Sequence, residues 1–126
     1  GGDTEIPANI ESLFTPGEKR SGHIFQTFLY ASIVCQKLRE KNDLRKVAPA
    51  LLYIHRAAAE DYSPVVQLKE SYNKTTPVED FSLLEEEFRT RLQALLEEIF
   101  NPDLSFSQTE EEDRCTYCDF KEICKR

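Results

Sequence analysis

Residues 21–41, SGHIFQTFLYASIVCQKLREK, contain no proline and carry apolar side chains on most of their sides. Phe25, Phe28, Leu29, Ser32, Val34, Cys35 and Leu38 follow helical spacing. A helix with so wide an apolar face has to lie against a sheet or deep in a core. Ser21 is the predicted N-cap. Lys37, Arg39 and Lys41 suit the negative end of the helix dipole, and Asn42-Asp43 marks the stop. Two polar-tipped residues stand inside the apolar run, Gln26 and Tyr30, four apart and so on one face. His23 lies on that face about one turn earlier. A Gln amide and a Tyr hydroxyl so placed can contact a phosphate or orient a neighbouring catalytic group. They can equally satisfy hydrogen bonds inside a core.

A second helix is predicted over 82–100. Ser82-Leu83-Leu84-Glu85 has the form of a capping box. Leu84, Phe88, Leu92, Leu95, Leu96 and Ile99 then form one stripe, and Asn101-Pro102 ends it. Glu85, Glu86 and Glu87 sit where the dipole favours them, and Glu97 and Glu98 sit against that preference. All five read as a solvated face.

Between the helices, 47–70 is predicted to hold two short strands. Val47 to Ala57 is an apolar run too short for a typical helix, and Pro49 places its start near an edge. Val65 to Leu68 is the other strand. AAAEDYSP between them reads as a turn, and SYNKTTPV (71–78) as a polar loop. Residues 1–20 read as loop, with Ile10 to Phe14 packing one short turn and Pro16-Gly17 a further turn signal. Lys69, Lys74 and Tyr72 could touch a phosphate, but a solvated loop is the simpler reading. No Gly-rich phosphate loop, Ser-His-Asp order or zinc-protease motif is present.

Composition narrows the class. A length of 126 residues fits one domain. With 40% hydrophobic and 31% charged residues the chain should fold rather than stay disordered. No apolar stretch approaches the roughly 18 residues of a membrane span, and GGDTEIPANI is not a secretory signal. The net charge of −7 excludes a generic basic nucleic-acid coat and leaves room for a local basic strip. The chain has no methionine and begins Gly1-Gly2-Asp3, which favours a piece cut from a longer protein.

The 101–126 tail carries Cys115-x2-Cys118-x5-Cys124. A tight turn brings the first two sulfurs to one point, and a helical turn can return the third. Three thiolates suit zinc or iron–sulfur. Arg114, Lys121, Lys125 and Arg126 favour the thiolate form. Three reduced thiols without a ligand, or a disulfide, are the alternatives. A fourth ligand is needed; Cys35 reads as a small hydrophobe packed in the core, and His23 and His55 are weaker candidates.

In combination, QTFLYA (Gln26 to Ala31), a following apolar strand, a capped acidic helix and C-x2-C-x5-C resemble the end of a RecB/AddB-type nuclease domain of the PD-(D/E)XK superfamily. The match covers most of residues 21–126. The resemblance implies an α+β chain, part of an α/β restriction-endonuclease-like core: a long helix, two short strands from the edge of a larger mixed sheet, a second long helix and the Cys-rich tail. Residues 1–126 would be the C-terminal part of one such domain. The family's metal-binding Asp and its Asp/Glu-x-Lys motif lie before the Gln-Tyr helix, often as D-Y-K-T-G. No such motif stands ahead of Gln26, and Gly1-Gly2-Asp3-Thr4 looks like a start at or just after that Thr-Gly. The family's first cluster cysteine is also upstream.

By resemblance, the intact parent cleaves DNA by Mg-dependent phosphodiester hydrolysis in repair or recombination. Gln26 and Tyr30 play supporting roles, and Cys115, Cys118 and Cys124 help hold a four-iron–four-sulfur cluster. In this chain the cluster could be absent or replaced by zinc. No Mg ligands are expected here, so the chain alone should be inactive. The implied partners are DNA and a helicase domain or subunit, in the cytoplasm and without a membrane. An uncovered sheet face would favour a dimer. Two other readings stay open: a zinc-knuckle module that binds protein or nucleic acid, and a plain interaction domain with incidental cysteines.

Overall fold

The computed structural model describes residues 6–16, 20–110 and 112–125. Residues 1–5, Gly17 of the Pro16-Gly17 turn, Arg126 and the side chain of Arg114 lie outside the described residues. The chain folds as α+β, with three α-helices and one small antiparallel sheet among the described residues.

Helix α1 spans Gly22–Glu40. Ser21 caps it, its hydroxyl accepting from the Ile24 N–H at 3.3 Å. Asn42 takes a left-handed conformation (φ 53°) just past the end, the conformation with which helices commonly stop. The apolar face buries Ile24, Phe28, Ala31 and Cys35. Cys35 is thus a core residue, as its helical spacing indicates.

Before α1, Ile10 and Leu13 enter the core around a 3-10 turn at Glu11–Leu13. Asn9 steadies that turn: its Oδ1 accepts from the Ser12 N–H at 2.9 Å. After α1 the chain differs from expectation. Val47 to Ala57 forms no strand. A single bridge joins Ala50 to Val65, flanked by Leu51 N–H to Pro64 O (2.7 Å) and Val66 N–H to Pro49 O (2.8 Å). Pro49 stands opposite Val66 and Pro64 opposite Leu51; neither proline has an N–H to return the bond it accepts, so the ladder cannot propagate.

Strand β1 is Gln67–Ser71, two residues later than Val65 to Leu68, and it pairs antiparallel with β2, Lys74–Pro77. β2 falls in the stretch expected as polar loop. Its signal is weak because every one of its residues is exposed, so no apolar alternation marks it. Thr75 and Thr76 supply β-branched side chains and cross-strand bonds, Thr76 Oγ1 to Glu70 at 2.9 Å and Thr75 Oγ1 to Gln67. A register irregularity lies between Lys69 and Ser71. Among the described residues the sheet has these two strands, and the larger mixed sheet is not formed.

Helix α2 spans Glu85–Ile99. The Ser82–Glu85 capping box does not form. Asp80 caps a 3-10 turn at Phe81–Leu83 instead, accepting from the Ser82 N–H at 3.1 Å. This shift drives Phe81 fully into the core. Phe28, Phe81 and Phe88 meet there at centroid distances of 4.9, 5.8 and 6.2 Å. Phe14 and Phe25 extend the cluster to Phe88 at 5.4 and 5.5 Å. Aromatic pairs of this kind add about 0.5–1.5 kcal/mol each beyond their buried area, and these join both helices and the N-terminal segment. The α2 stripe leaves the core toward its end, where Leu96 and Ile99 are exposed.

The tail holds a 3-10 turn at Glu112–Cys115 and the short helix α3, Lys121–Cys124. No helix among the described residues is long and apolar enough to cross a membrane.

Candidate functional site

The outward face of α1 carries Gln26 and Tyr30 into solvent. Tyr30 is 58% exposed, and Gln26 Nε2 donates to Tyr30 Oη at 2.9 Å. The core hydrogen-bonding alternative therefore does not hold for either residue. The bond leaves a defined chemistry unspent: Tyr30 keeps its hydroxyl proton to donate, and Gln26 keeps its Oε1 as an acceptor and one amide proton. An i,i+4 bond also restrains both side chains, so less ordering remains to be done when they meet a ligand. Ile33 and Val34 share the exposed side of the helix.

What holds α1 in this rotation is a buried carboxylate. Glu85 is 2% exposed, the first residue of α2. Arg39 Nη2 donates to its Oε2 at 2.7 Å and Ser32 Oγ donates to its Oε1 at 3.3 Å. Arg89 adds an ion pair at 3.6 Å from the next turn of α2. The solvated-face reading is thus wrong for Glu85, whereas Glu86, Glu87, Glu97 and Glu98 are exposed. The reason is geometric: α1 brings Ser32 and Arg39, two turns apart, onto the start of α2. Ser32 inside an apolar stripe was the sequence signal that a polar partner was needed.

Cys35, one turn before Arg39, is pushed above the ordinary thiol value by its burial, then by the negative charges of Glu85 and Asp80. It sits in the core as a small apolar side chain.

In the tail, Cys115 and Cys118 share a turn, with Cys118 N–H donating to Cys115 O at 3.2 Å. Cys124 ends α3, and its carbonyl accepts from Gln108 Nε2 at 2.9 Å. All three are half-buried free thiols. Among the described residues no three His, Cys, Asp or Glu side chains converge on a point that would hold a metal ion. His23 and His55 border a cleft at the start of α1. Lys69 stands over the Tyr72 ring at 5.9 Å and Lys74 pairs with Glu70 at 2.7 Å, so both lysines are engaged on the solvated hairpin.

A family model described as the PD-(D/E)XK nuclease superfamily matches residues 12–125, a span that takes in both long helices, the hairpin and the tail cysteines. No curated protein and no solved structure matches the chain.

Proposed function

Because the chain belongs to the PD-(D/E)XK nuclease superfamily, we propose that it supplies the Gln-Tyr helix and the cysteine tail of a RecB/AddB-type DNA nuclease domain acting in repair or recombination. The observation that carries this reading is the exposed, mutually bonded Gln26–Tyr30 pair. A pair kept for packing would be buried; this one presents a donor and an acceptor at the surface. In such nucleases a carboxylate-held Mg²⁺ polarises the scissile phosphate and activates the attacking water. Residues 1–25 contain no Asp/Glu-x-Lys. The contribution of this chain's own residues is binding and positioning: Tyr30 donates to a phosphate oxygen, and Gln26 holds the tyrosine and offers its free amide proton.

The test is fluorescence anisotropy with a labelled DNA oligonucleotide and the full 126-residue chain. Gln26→Ala and Tyr30→Phe should each weaken binding about two- to tenfold, the worth of one hydrogen bond, with an unchanged melting temperature. Mg²⁺ should produce no cleavage by this chain. Unchanged affinity in both variants would return the pair to ordinary surface polarity.

A further inference from the structure

The segment from Leu51 to Val65 has almost no regular secondary structure, yet it is braced. Its neck is held by the Leu51–Pro64 and Val66–Pro49 backbone bonds and the Ala50–Val65 bridge. Inside, Tyr62 Oη donates to Leu51 O at 2.8 Å and accepts from the Tyr53 N–H at 2.7 Å. Both functions of that hydroxyl are spent on the backbone, which fixes the ring as a wall. Backbone bonds from Arg56 N–H to Tyr53 O (2.9 Å) and from Ala59 N–H to Arg56 O (3.0 Å) close the turns above it. Compact, braced loops of this length in a small domain usually carry function.

The loop stands against the first turn of α1, and a cleft of about 660 Å³ lies between them. Its floor is apolar, made by Ile24 and Val66, both 5% exposed. One side carries the Tyr53 and His55 rings, edge to face with centroids 6.2 Å apart. His23, Arg56 and Asp61 also line it, and all three are exposed. Apolar floor, aromatic side and an exposed guanidinium are the parts that recognise a nucleoside phosphate. The base gains stacking and dehydration, and the phosphate gains a charge-assisted bond. The volume falls within the roughly 300–1,000 Å³ of small-ligand sites.

We propose that this cleft receives one nucleotide, its base against Tyr53 and His55 and its phosphate at Arg56. The proposal rests on the DNA role above for its source of nucleotide: a strand of DNA. His23 lines the cleft and precedes Gln26 by one turn, so the cleft continues the Gln26–Tyr30 face, and a strand lying on that face leads into it.

Two measurements on the full chain test this. Deoxythymidine monophosphate is titrated into ¹⁵N-labelled protein, and a labelled octathymidylate is followed by anisotropy. The mononucleotide should shift the amides of Tyr53, His55 and Arg56. His55→Ala and Arg56→Gln, both at exposed positions, should each weaken octathymidylate binding at least about fivefold. If both variants bind as the parent does while Tyr30→Ala weakens binding, the cleft proposal is overturned and the DNA role stands. If the mononucleotide maps to the cleft but no oligonucleotide binds, the cleft stands and the DNA role falls. Mononucleotide shifts that avoid the cleft overturn the proposal outright.

Discussion

Arg39 donates to Glu85 at 2.7 Å across the contact between α1 and α2, and the two ends of that bond live in different media. Glu85 is 2% exposed, while Arg39 keeps 55% of its side chain in water. A bond so divided should respond unequally to loss of its two partners. Removing Arg39 leaves a buried carboxylate with Ser32 and the longer 3.6 Å pair to Arg89; removing Glu85 leaves arginines that solvent already reaches.

Arg39→Ala should therefore lower the melting temperature, by at least about 5 °C, and Glu85→Leu should lower it less or raise it. Thermal unfolding of both variants decides the point. Glu85→Leu should at the same time loosen the rotation of α1, because the bonds from Ser32 and Arg39 to this carboxylate pin one side of the helix to the start of α2. Thiol labelling of Tyr30→Cys against Ala31→Cys reads that rotation. The labelling contrast should be large in the parent and smaller with Leu at position 85.

Phe88 is fully buried and touches Phe14, Phe25, Phe28 and Phe81. Phe88→Ala should cost about 3–5 kcal/mol, a large part of the stability of a domain this size. Phe88→Leu should cost much less. Urea unfolding gives both values, and equal costs would mean that the cluster does not hold the two helices together.

Asp80 supplies an acid-sensitive contribution. Hydrogen bonding from Ser82 holds its carboxyl below the ordinary value of 3.8. A carboxylate depressed on folding stabilises fully above its unfolded value, and that contribution is lost as pH falls through the folded value. Asp80→Ala should cost about 1 kcal/mol at pH 7, and the difference from the parent should shrink below pH 4. Asp80→Asn should retain the cap with little dependence on pH. Asp43, held low by Arg45, and Glu70, held low by Lys74, act in the same direction. Denaturation curves at pH 7 and pH 3 measure the effect.

The thiols should divide into two classes. Cys115, Cys118 and Cys124 are half-buried and react with iodoacetamide in the folded, metal-free chain; Cys35, 5% exposed and held protonated, should react only on unfolding. Peptide mapping after a timed pulse reports each site. Fast labelling of Cys35 would show that the core beneath α1 opens.

The two long helices, the Ser21 cap, the stop at Asn42 and the burial of Cys35 were legible in the sequence, because each depends on residues within a turn or two of one another. That Gln26 and Tyr30 share a face was legible for the same reason, a spacing of four; that they bond to each other was not. Whether that face met water or the core was not, since α1 is apolar on most sides. The hairpin escaped notice because both its faces are wet and no alternation records it. The strand expected at Val47 to Ala57 failed because a proline stands on each side of its one bridge, Pro49 opposite Val66 and Pro64 opposite Leu51, and neither can return a hydrogen bond. Glu85 reads as one of three consecutive glutamates until folding brings Ser32, 53 residues away, within bonding distance. Local periodicity determines which elements form and which faces they carry. Which polar group ends up buried is decided only when distant elements meet, because a charge can leave water only where its partners have already been assembled.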